Sequence, residues 1–139
     1  MYEALQCAAC HQVGDHGIAY GPDLTAAGGR FGLRDLLVAT LEPERDISDQ
    51  YQALLIEIGD DRHLGLVVER DDQTIVLAPD PRLGQTRLEI AVDSTLRETV
   101  ASPMPRGLLD TAELDEILDL LAYLVAAGDP NDAVFLPQP

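Results

Sequence analysis

The chain has 139 residues, enough for one domain with a single core and too few for two ordinary domains. Its formal net charge is −16, from 25 acidic residues against nine arginines and no lysine. Nucleic acids and anionic membrane surfaces attract basic proteins, so this charge disfavours both as partners. No run of residues approaches the roughly 20 apolar residues of a membrane span. The acidic surface either solvates the protein or steers a basic partner protein.

The first part of the chain predicts short helices around a long loop. Residues 2–11 predict a short helix that ends on a pair of cysteines, and the glycine-rich residues 14–29 predict a loop. Leucines then recur at helical spacing at positions 33, 36, 37 and 41. Glu42-Pro43 is expected to end this helix, because the residue before a proline disfavours helical geometry.

From about residue 52 the hydrophobic pattern changes to that of strands. Leu54, Ile56 and Ile58 alternate with other residues, and further β-rich runs follow at 64–69, 74–78 and 86–92. Turn sequences separate these runs, which predicts a small antiparallel sheet inserted at about residues 52–100. Such a sheet is expected to pack against something, because it is marginally stable alone.

The clearest predicted helix follows the segment Ser102-Pro103-Met104-Pro105. Asp110 is its predicted N-cap, with Glu113 three residues later as in a capping box. A broad apolar stripe is predicted along it, made of Leu114, Ile117, Leu118, Leu121, Leu124 and Val125. Gly128 and Pro130 are expected to end the helix. Residues 129–139 then form a tail, ordered only where Val134, Phe135 and Leu136 find a surface.

The chain's only cysteines carry its most informative motif. Cys7 and Cys10 lie three residues apart, and His11 follows at once. Two thiols one helical turn apart can each form a thioether with a vinyl group of one porphyrin edge, and the histidine can then coordinate the iron. A zinc site would need more ligands than His16 and His63 supply. A thioredoxin-like site would follow a strand, and a plain disulfide gives the histidine no role. The motif predicts one covalently bound heme c.

Met104 is the predicted ligand at the sixth position of the iron. It is the only methionine besides Met1, and Pro103 and Pro105 stiffen the loop that presents it. The alternative is that Met104 fills a core, as methionines commonly do. His63 is the alternative ligand, but it lies in a predicted turn, where a solvent-exposed histidine is expected.

Four further residues are predicted to surround the heme. A backbone carbonyl of the Gly21-Pro22 segment is expected to accept a hydrogen bond from Nδ1 of His11, which would orient the ring for iron. Leu24 and Phe31 are candidates for the pocket wall. Arg30 could pair with a heme propionate, or could equally be a solvated surface arginine. Gly-Pro is also an ordinary loop signal.

These motifs resemble class I cytochromes c. In that family CxxCH closes the first helix, a Gly-Pro-x-Leu segment lies under the proximal histidine, a loop methionine is the distal ligand, and a C-terminal helix packs across the first. Here the matching features are residues 7–11, 21–24, Met104 and residues 110–127, with Tyr123-Leu124 near the end. The chain is more closely similar to one branch, the heme-binding CxxCH domain at the C-terminal end of large secreted proteins of planctomycetes and verrucomicrobia. That likeness rests on residues 21–25, Gly65-Leu66 and residues 102–108.

The resemblance implies a mainly α cytochrome c fold over residues 1–128, with the small antiparallel sheet inserted between the central helices and the methionine loop. It implies an electron carrier with His11 and Met104 as axial ligands, not an enzyme in its own right. A redox partner or a fused dehydrogenase module would supply the electrons. Heme attachment to CxxCH implies a periplasmic or other extracytoplasmic location, although no leader precedes Cys7. The alternative is a five-coordinate or labile heme that senses gas or redox state, or reduces peroxide.

Overall fold

The computed structural model describes residues 1–135, so residues 136–139 of the predicted tail, Leu136 among them, lie outside the described residues. The chain divides into two compact units. The first unit is Met1–Arg45 together with Pro105–Pro139, and the second is Asp46–Met104. The second unit is therefore inserted between two parts of the first. The sequence-based bounds of a domain at 1–128 and a tail at 129–139 stay a prediction.

The first unit combines short strands and helices. In chain order its elements are β1 (Gln12–Val13), β2 (His16–Gly17), α1 (Ala27–Arg30), α2 (Leu33–Leu41) and α3 (Leu114–Val125). Its core is a single cluster of buried side chains: Tyr2, Leu5, Val13, Ala27, Leu36, Leu109, Leu120, Leu121 and Leu124. α1 packs closely on α3, because an added Cβ at Gly28 would lie 2.4 Å from the Val125 Cα. The predicted helix around Leu36 is confirmed as α2, which ends just before Glu42-Pro43.

The predicted helix over residues 2–11 is wrong. Gln6 has a φ of 62°, in the left-handed region, and ends the first turn of the chain. The Cys7 N–H then bonds to the Tyr2 carbonyl at 3.0 Å, the hydrogen-bond pattern that closes a helix. A short 3₁₀ helix, Cys7–Ala9, follows. The residues before Cys7 therefore form one turn, and the cysteine motif lies on a second, separate tight turn.

The predicted C-terminal helix is present as α3, but its start and its buried face differ from the prediction. It begins at Leu114, so Glu113 and not Asp110 is its N-cap. The Glu116 carboxylate accepts a hydrogen bond from the Glu113 N–H at 3.0 Å. Leu114 and Leu118 are 69% and 52% exposed, because the buried face runs through the leucines at 120, 121 and 124. The predicted apolar stripe is therefore too broad.

The second unit is a five-stranded antiparallel sheet with its own core. Its strands are β3 (Ala53–Ile58), β4 (Asp61–Arg70), β5 (Thr74–Pro79), β6 (Leu88–Ala91) and β7 (Arg97–Ala101). They lie in the order β6-β5-β4-β3-β7, so four strands form a meander and the last returns to pair with the first. The core side chains are Ile56, Ile75, Leu77 and Ile90, all at least 95% buried. The strand register places them on one face of the sheet.

The prediction of a mainly α fold is therefore wrong, and the chain is a mixed α and β protein in which the five-stranded sheet is the largest element. Three things account for the difference. β4 spans ten residues, well beyond the predicted run at 64–69, and β7 adds a strand that the sequence pattern did not indicate. The first predicted helix is replaced by turns. None of the helices among the described residues is long and apolar enough to cross a membrane.

Candidate functional site

The cysteine and histidine motif lies on one tight turn of the first unit. The N–H groups of Cys10 and His11 both donate to the Cys7 carbonyl, at 3.1 and 2.8 Å. Both cysteine side chains are half-buried, and the structure joins them in no disulfide. Burial raises the pKa of the Cys7 thiol, so this thiol is protonated at neutral pH. The motif therefore carries two reduced thiols about one helical turn apart, and the histidine follows them directly in the sequence.

The His11 ring is held by a backbone carbonyl. Its Nδ1 lies 2.8 Å from the Pro22 oxygen, which is the contact expected of the Gly21-Pro22 segment. A carbonyl oxygen can only accept, so Nδ1 carries the proton. Burial lowers the pKa of His11, and the hydrogen bond to Pro22 opposes this to a smaller extent. The neutral ring is therefore favoured, and it keeps its lone pair on Nε2, the form in which imidazole binds a metal.

Two glycines allow the chain to approach this histidine. A Cβ on Gly21 would lie 2.8 Å from the His11 Cε1 and 3.0 Å from its Nδ1. A Cβ on Gly17, which has a φ of 103°, would lie 2.0 Å from the His11 carbonyl oxygen. The Gly21 N–H also donates to the Cys10 carbonyl at 2.6 Å. The loop after the motif therefore packs against the ring and backbone of His11 at a distance that only glycine permits.

Tyr2 supports the backbone of the motif and was not predicted as a site residue. Its hydroxyl donates to the His11 carbonyl at 2.6 Å. Its ring is buried and stacks on the Tyr123 ring of α3, with 5.0 Å between the centroids. Burial, and next the nearby Cys7, raise the pKa of Tyr2, which keeps its hydroxyl protonated and able to donate. The available sequence signal was an aromatic residue just before the motif and a second one near the end of the last helix.

Removing this hydroxyl is expected to destabilise the first unit while leaving its packing in place. Tyr2→Phe keeps the ring stack on Tyr123 but leaves the His11 carbonyl without this donor, which should lower the free energy of unfolding by about 1 kcal/mol. Urea denaturation followed by circular dichroism measures the change. Tyr51→Phe is the matched control, since the Tyr51 hydroxyl makes no hydrogen bond within residues 1–135. Equal stabilities of the two variants would contradict the assigned role of the Tyr2 hydroxyl.

The other predicted pocket residues of the first unit lie at its surface or edge. Leu24 is half-buried against the core, and its N–H donates to the Gln12 carbonyl at 2.8 Å. Phe31 is 47% exposed, and the Arg30 guanidinium lies over its ring, 5.4 Å from the centroid. Arg30 and Phe31 are therefore together, and their roles towards a heme stay predictions. Ile18, half-exposed, lies beside the motif, since its N–H bonds to the Ala8 carbonyl at 3.1 Å.

The distal candidates lie in the second unit. Met104 is its last residue and is half-buried, as is Pro103, and the Met104 N–H donates to the Ser102 hydroxyl at 3.1 Å. His63 is not in a turn, as the sequence suggested, but in β4, where it pairs with Ile56 of β3 and is half-buried. The choice between Met104 and His63 as sixth ligand therefore still rests on the sequence.

The donor set fits heme c better than a bare metal ion. Within residues 1–135 no three His, Cys, Asp or Glu side chains cluster closely enough to hold a metal by themselves. The motif instead offers two thiols for covalent bonds and one neutral imidazole with a lone pair on Nε2. Ile18 adds exposed apolar surface beside it. Attachment of heme c uses two cysteine thiols and one axial histidine nitrogen, and this motif offers both.

No protein-family model matches the chain, and a search of curated proteins finds none with a similar sequence.

Proposed function

We propose that the chain is a one-electron carrier with one heme c bound through Cys7, Cys10 and His11. The observation that carries the proposal is the 2.8 Å contact between the His11 Nδ1 and the Pro22 carbonyl, directly behind a pair of reduced cysteines. A histidine that ligates a metal commonly donates its other ring N–H to a carbonyl, which fixes the tautomer and the ring orientation. This histidine has that arrangement, and the adjacent thiols supply the two covalent anchors that heme c requires.

The residues of the motif would divide the work between attachment and ligation. The Cys7 and Cys10 thiols would each add across one vinyl group of the porphyrin, a reaction that needs no oxidant because the S–H proton moves to the vinyl carbon. His11 would coordinate the iron through Nε2, while Pro22 holds its Nδ1–H. Gly21 keeps the loop backbone against the ring. The heme supplies the change between Fe(II) and Fe(III), and the protein supplies binding, orientation and potential.

Met104 is the proposed sixth ligand. It is the only methionine besides Met1, and its place between Pro103 and Pro105 restricts the backbone that carries it. A thioether ligand favours Fe(II) and so raises the reduction potential. The net charge of −16 favours Fe(III) and acts in the opposite direction. The proposed ligands His11 and Met104 define the class of carrier. The reduction potential of the heme depends on the balance of these two effects.

The charge distribution supports a basic redox partner. α3 carries acidic but no basic side chains, and six of the nine arginines are already held in ion pairs with carboxylates. The surplus negative charge would attract a basic protein, with a rate of association that falls as salt screens the charge.

A dehydrogenase module or partner would be the electron donor. Heme attachment of this kind would take place outside the cytoplasm, so we propose that the carrier works in the periplasm or an equivalent compartment.

Optical spectra of the oxidised and reduced holoprotein test this function. A low-spin spectrum with sharp reduced bands, together with the weak far-red band of a sulfur–iron bond in the oxidised form, is the expected result for a His/Met carrier. A low-spin spectrum without the far-red band would indicate that the sixth ligand is a histidine and not Met104. His63 would then be the first candidate. A high-spin spectrum with rapid, stoichiometric binding of carbon monoxide at neutral pH would overturn the carrier and favour a sensor or a peroxidase-like site.

A further inference from the structure

The outer side of α3 carries two leucines that the first unit does not bury. Leu114 and Leu118 are 69% and 52% exposed, whereas the helix packs into the core through Leu120, Leu121 and Leu124. Residues four apart on a helix lie next to each other on one side of it, so the two exposed leucines form a single apolar ridge. Isolated exposed leucines are ordinary on protein surfaces, but adjacent ones make a patch of the kind that marks contact sites.

A row of carboxylates runs beside this leucine ridge. Asp115 and Asp119 each follow a ridge leucine in the sequence, which places them about 100° further around the helix. Both are exposed, and within residues 1–135 neither side chain takes part in an ion pair or a hydrogen bond. α3 itself has no basic side chain that could neutralise them. The ridge is therefore flanked by negative charge that the described part of the first unit leaves uncompensated.

The stability of the helix accounts for only part of this arrangement. Asp115 and Glu116 lie in the first turn of α3, where the helix dipole favours carboxylates. Glu116 also accepts the hydrogen bond from the Glu113 N–H that caps the helix. Asp119 lies beyond the first turn, where the effect of the dipole has faded. Neither the dipole nor the cap gives the leucine ridge a role, so the ridge and Asp119 beside it call for a different explanation.

We propose that this face of α3 is a docking surface for a basic protein whose contact segment carries apolar side chains between lysines or arginines. Apolar contact would cover the leucine ridge, and the basic groups would pair with the carboxylates beside it. A small apolar centre with a charged edge is typical of transient complexes. The docking surface does not depend on the heme, whereas the identity of the partner as a redox protein rests on the proposed function.

Charge disfavours the other classes of occupant. A second copy of the chain in a two-fold contact through α3 would bring its own Asp115 and Asp119 to the same interface, where like charges repel. Nucleic acids and anionic membrane surfaces carry the wrong sign for this face as well. A basic protein is the occupant that matches both the apolar and the charged part of the surface.

The test is an NMR titration of the intact protein with a synthetic helical peptide that carries leucines along one side and lysines on both flanks. The backbone amides of residues 113–119 are expected to shift most, and the affinity should fall as salt is raised. Leu114→Gln with Leu118→Gln should weaken binding on the order of tenfold, because it removes the apolar centre and keeps a good helix former. Asp115→Asn with Asp119→Asn should weaken it about fivefold, because it removes the charged edge.

The second unit offers a matched control for each pair of substitutions. Leu83→Gln with Val68→Thr replaces two apolar side chains that are 68% and 60% exposed. Asp60→Asn with Asp72→Asn removes two exposed carboxylates from the connections between strands, and so changes the net charge by the same amount as the pair in α3. Both controls should bind the peptide within about twofold of the parent.

Three results would overturn the docking surface. Shifts spread over the acidic residues of both units, or an equal loss of affinity in the carboxylate control, would show attraction by net charge alone. Parental affinity in the Leu114 and Leu118 variant would show that the ridge takes no part. A dimer in analytical ultracentrifugation that this variant converts to a monomer would show that a second copy covers the face. Binding at residues 113–119 by protein that carries no heme would support the docking surface and contradict the proposed carrier.

Discussion

Gly21→Ala is expected to release His11 from its place and to weaken its bond to the heme iron by about 10–100-fold, the usual effect of losing the partner of a metal-binding histidine. The added Cβ would lie 2.8 Å from the His11 Cε1, closer than real Cβ contacts allow. Either the ring or the loop must move, and both movements stretch the 2.8 Å contact to Pro22. Overpacking of this kind also costs about 1–3 kcal/mol of stability.

The measurement is the fraction of low-spin heme per protein molecule, from optical spectra of purified Gly21→Ala and its parent. Gly29→Ala is the matched control, because a Cβ there meets no atom within 4 Å and the backbone is not in the left-handed region. The control should keep the parental spectrum and yield. If Gly21→Ala also kept both, the contact between this loop and the histidine ring would have no part in holding the heme.

Replacing Met104 by leucine is expected to lower the reduction potential on the order of 0.1–0.3 V, part of the ~0.8 V range over which axial ligands tune hemes. Leucine keeps the apolar volume of the side chain and removes the sulfur, so the loss reports ligation and not packing. Met104→Ala removes both. Both variants should therefore leave the sixth position of the iron open. Met104→Ala should also be less stable, because the packing of the half-buried methionine side chain is lost.

Potentiometric titration with optical detection gives the potentials, and carbon monoxide binding to the reduced protein reports the open position. If Met104 is only a packing residue, Met104→Leu should keep the parental potential and spectrum while Met104→Ala alone loses stability. That result would remove Met104 from the site. A variant of His63 that lost the low-spin spectrum would then identify the residue that replaces it.

The sequence predicted the elements whose burial follows a simple period. α2 follows from its leucine spacing and from Glu42-Pro43 at its end. α3 was predicted, but it ends at Val125 and not at residue 127, and its buried face was not predicted, because Leu114 and Leu118 fit the helical spacing and yet face solvent. Spacing identifies which residues share a face, and only packing decides how wide the buried part of that face is.

The failures come from single backbone conformations and from non-local pairing. The first turn of the chain ends at Gln6, a residue with no special preference for the left-handed region, so no local signal predicts that a helix fails to continue there. β7 contains mainly exposed residues, and it is a strand because β3 offers it a partner edge. These two differences, with the length of β4, turn a fold predicted as mainly α into one dominated by a sheet.

The candidate site was more predictable than the fold, because its chemistry is local in the chain. The motif at residues 7–11 and the carbonyl after Gly21 follow from the sequence alone, and the structure adds that Pro22 is the acceptor. The sequence did not indicate Tyr2, whose hydrogen-bond partner lies 9 residues away along the chain. Contacts at such separations depend on the folded chain and leave no periodic signal.

The most direct test of the account is the mass of the intact protein under denaturing conditions, after production in a host that attaches heme c to exported proteins. The account predicts a mass equal to that of the chain plus one heme, unchanged by acid extraction, and reduced to that of the chain alone in the double variant Cys7→Ala with Cys10→Ala. The mass of the bare chain from the parent, or a heme that acid extraction removes, would contradict covalent attachment at this motif and with it the proposed carrier.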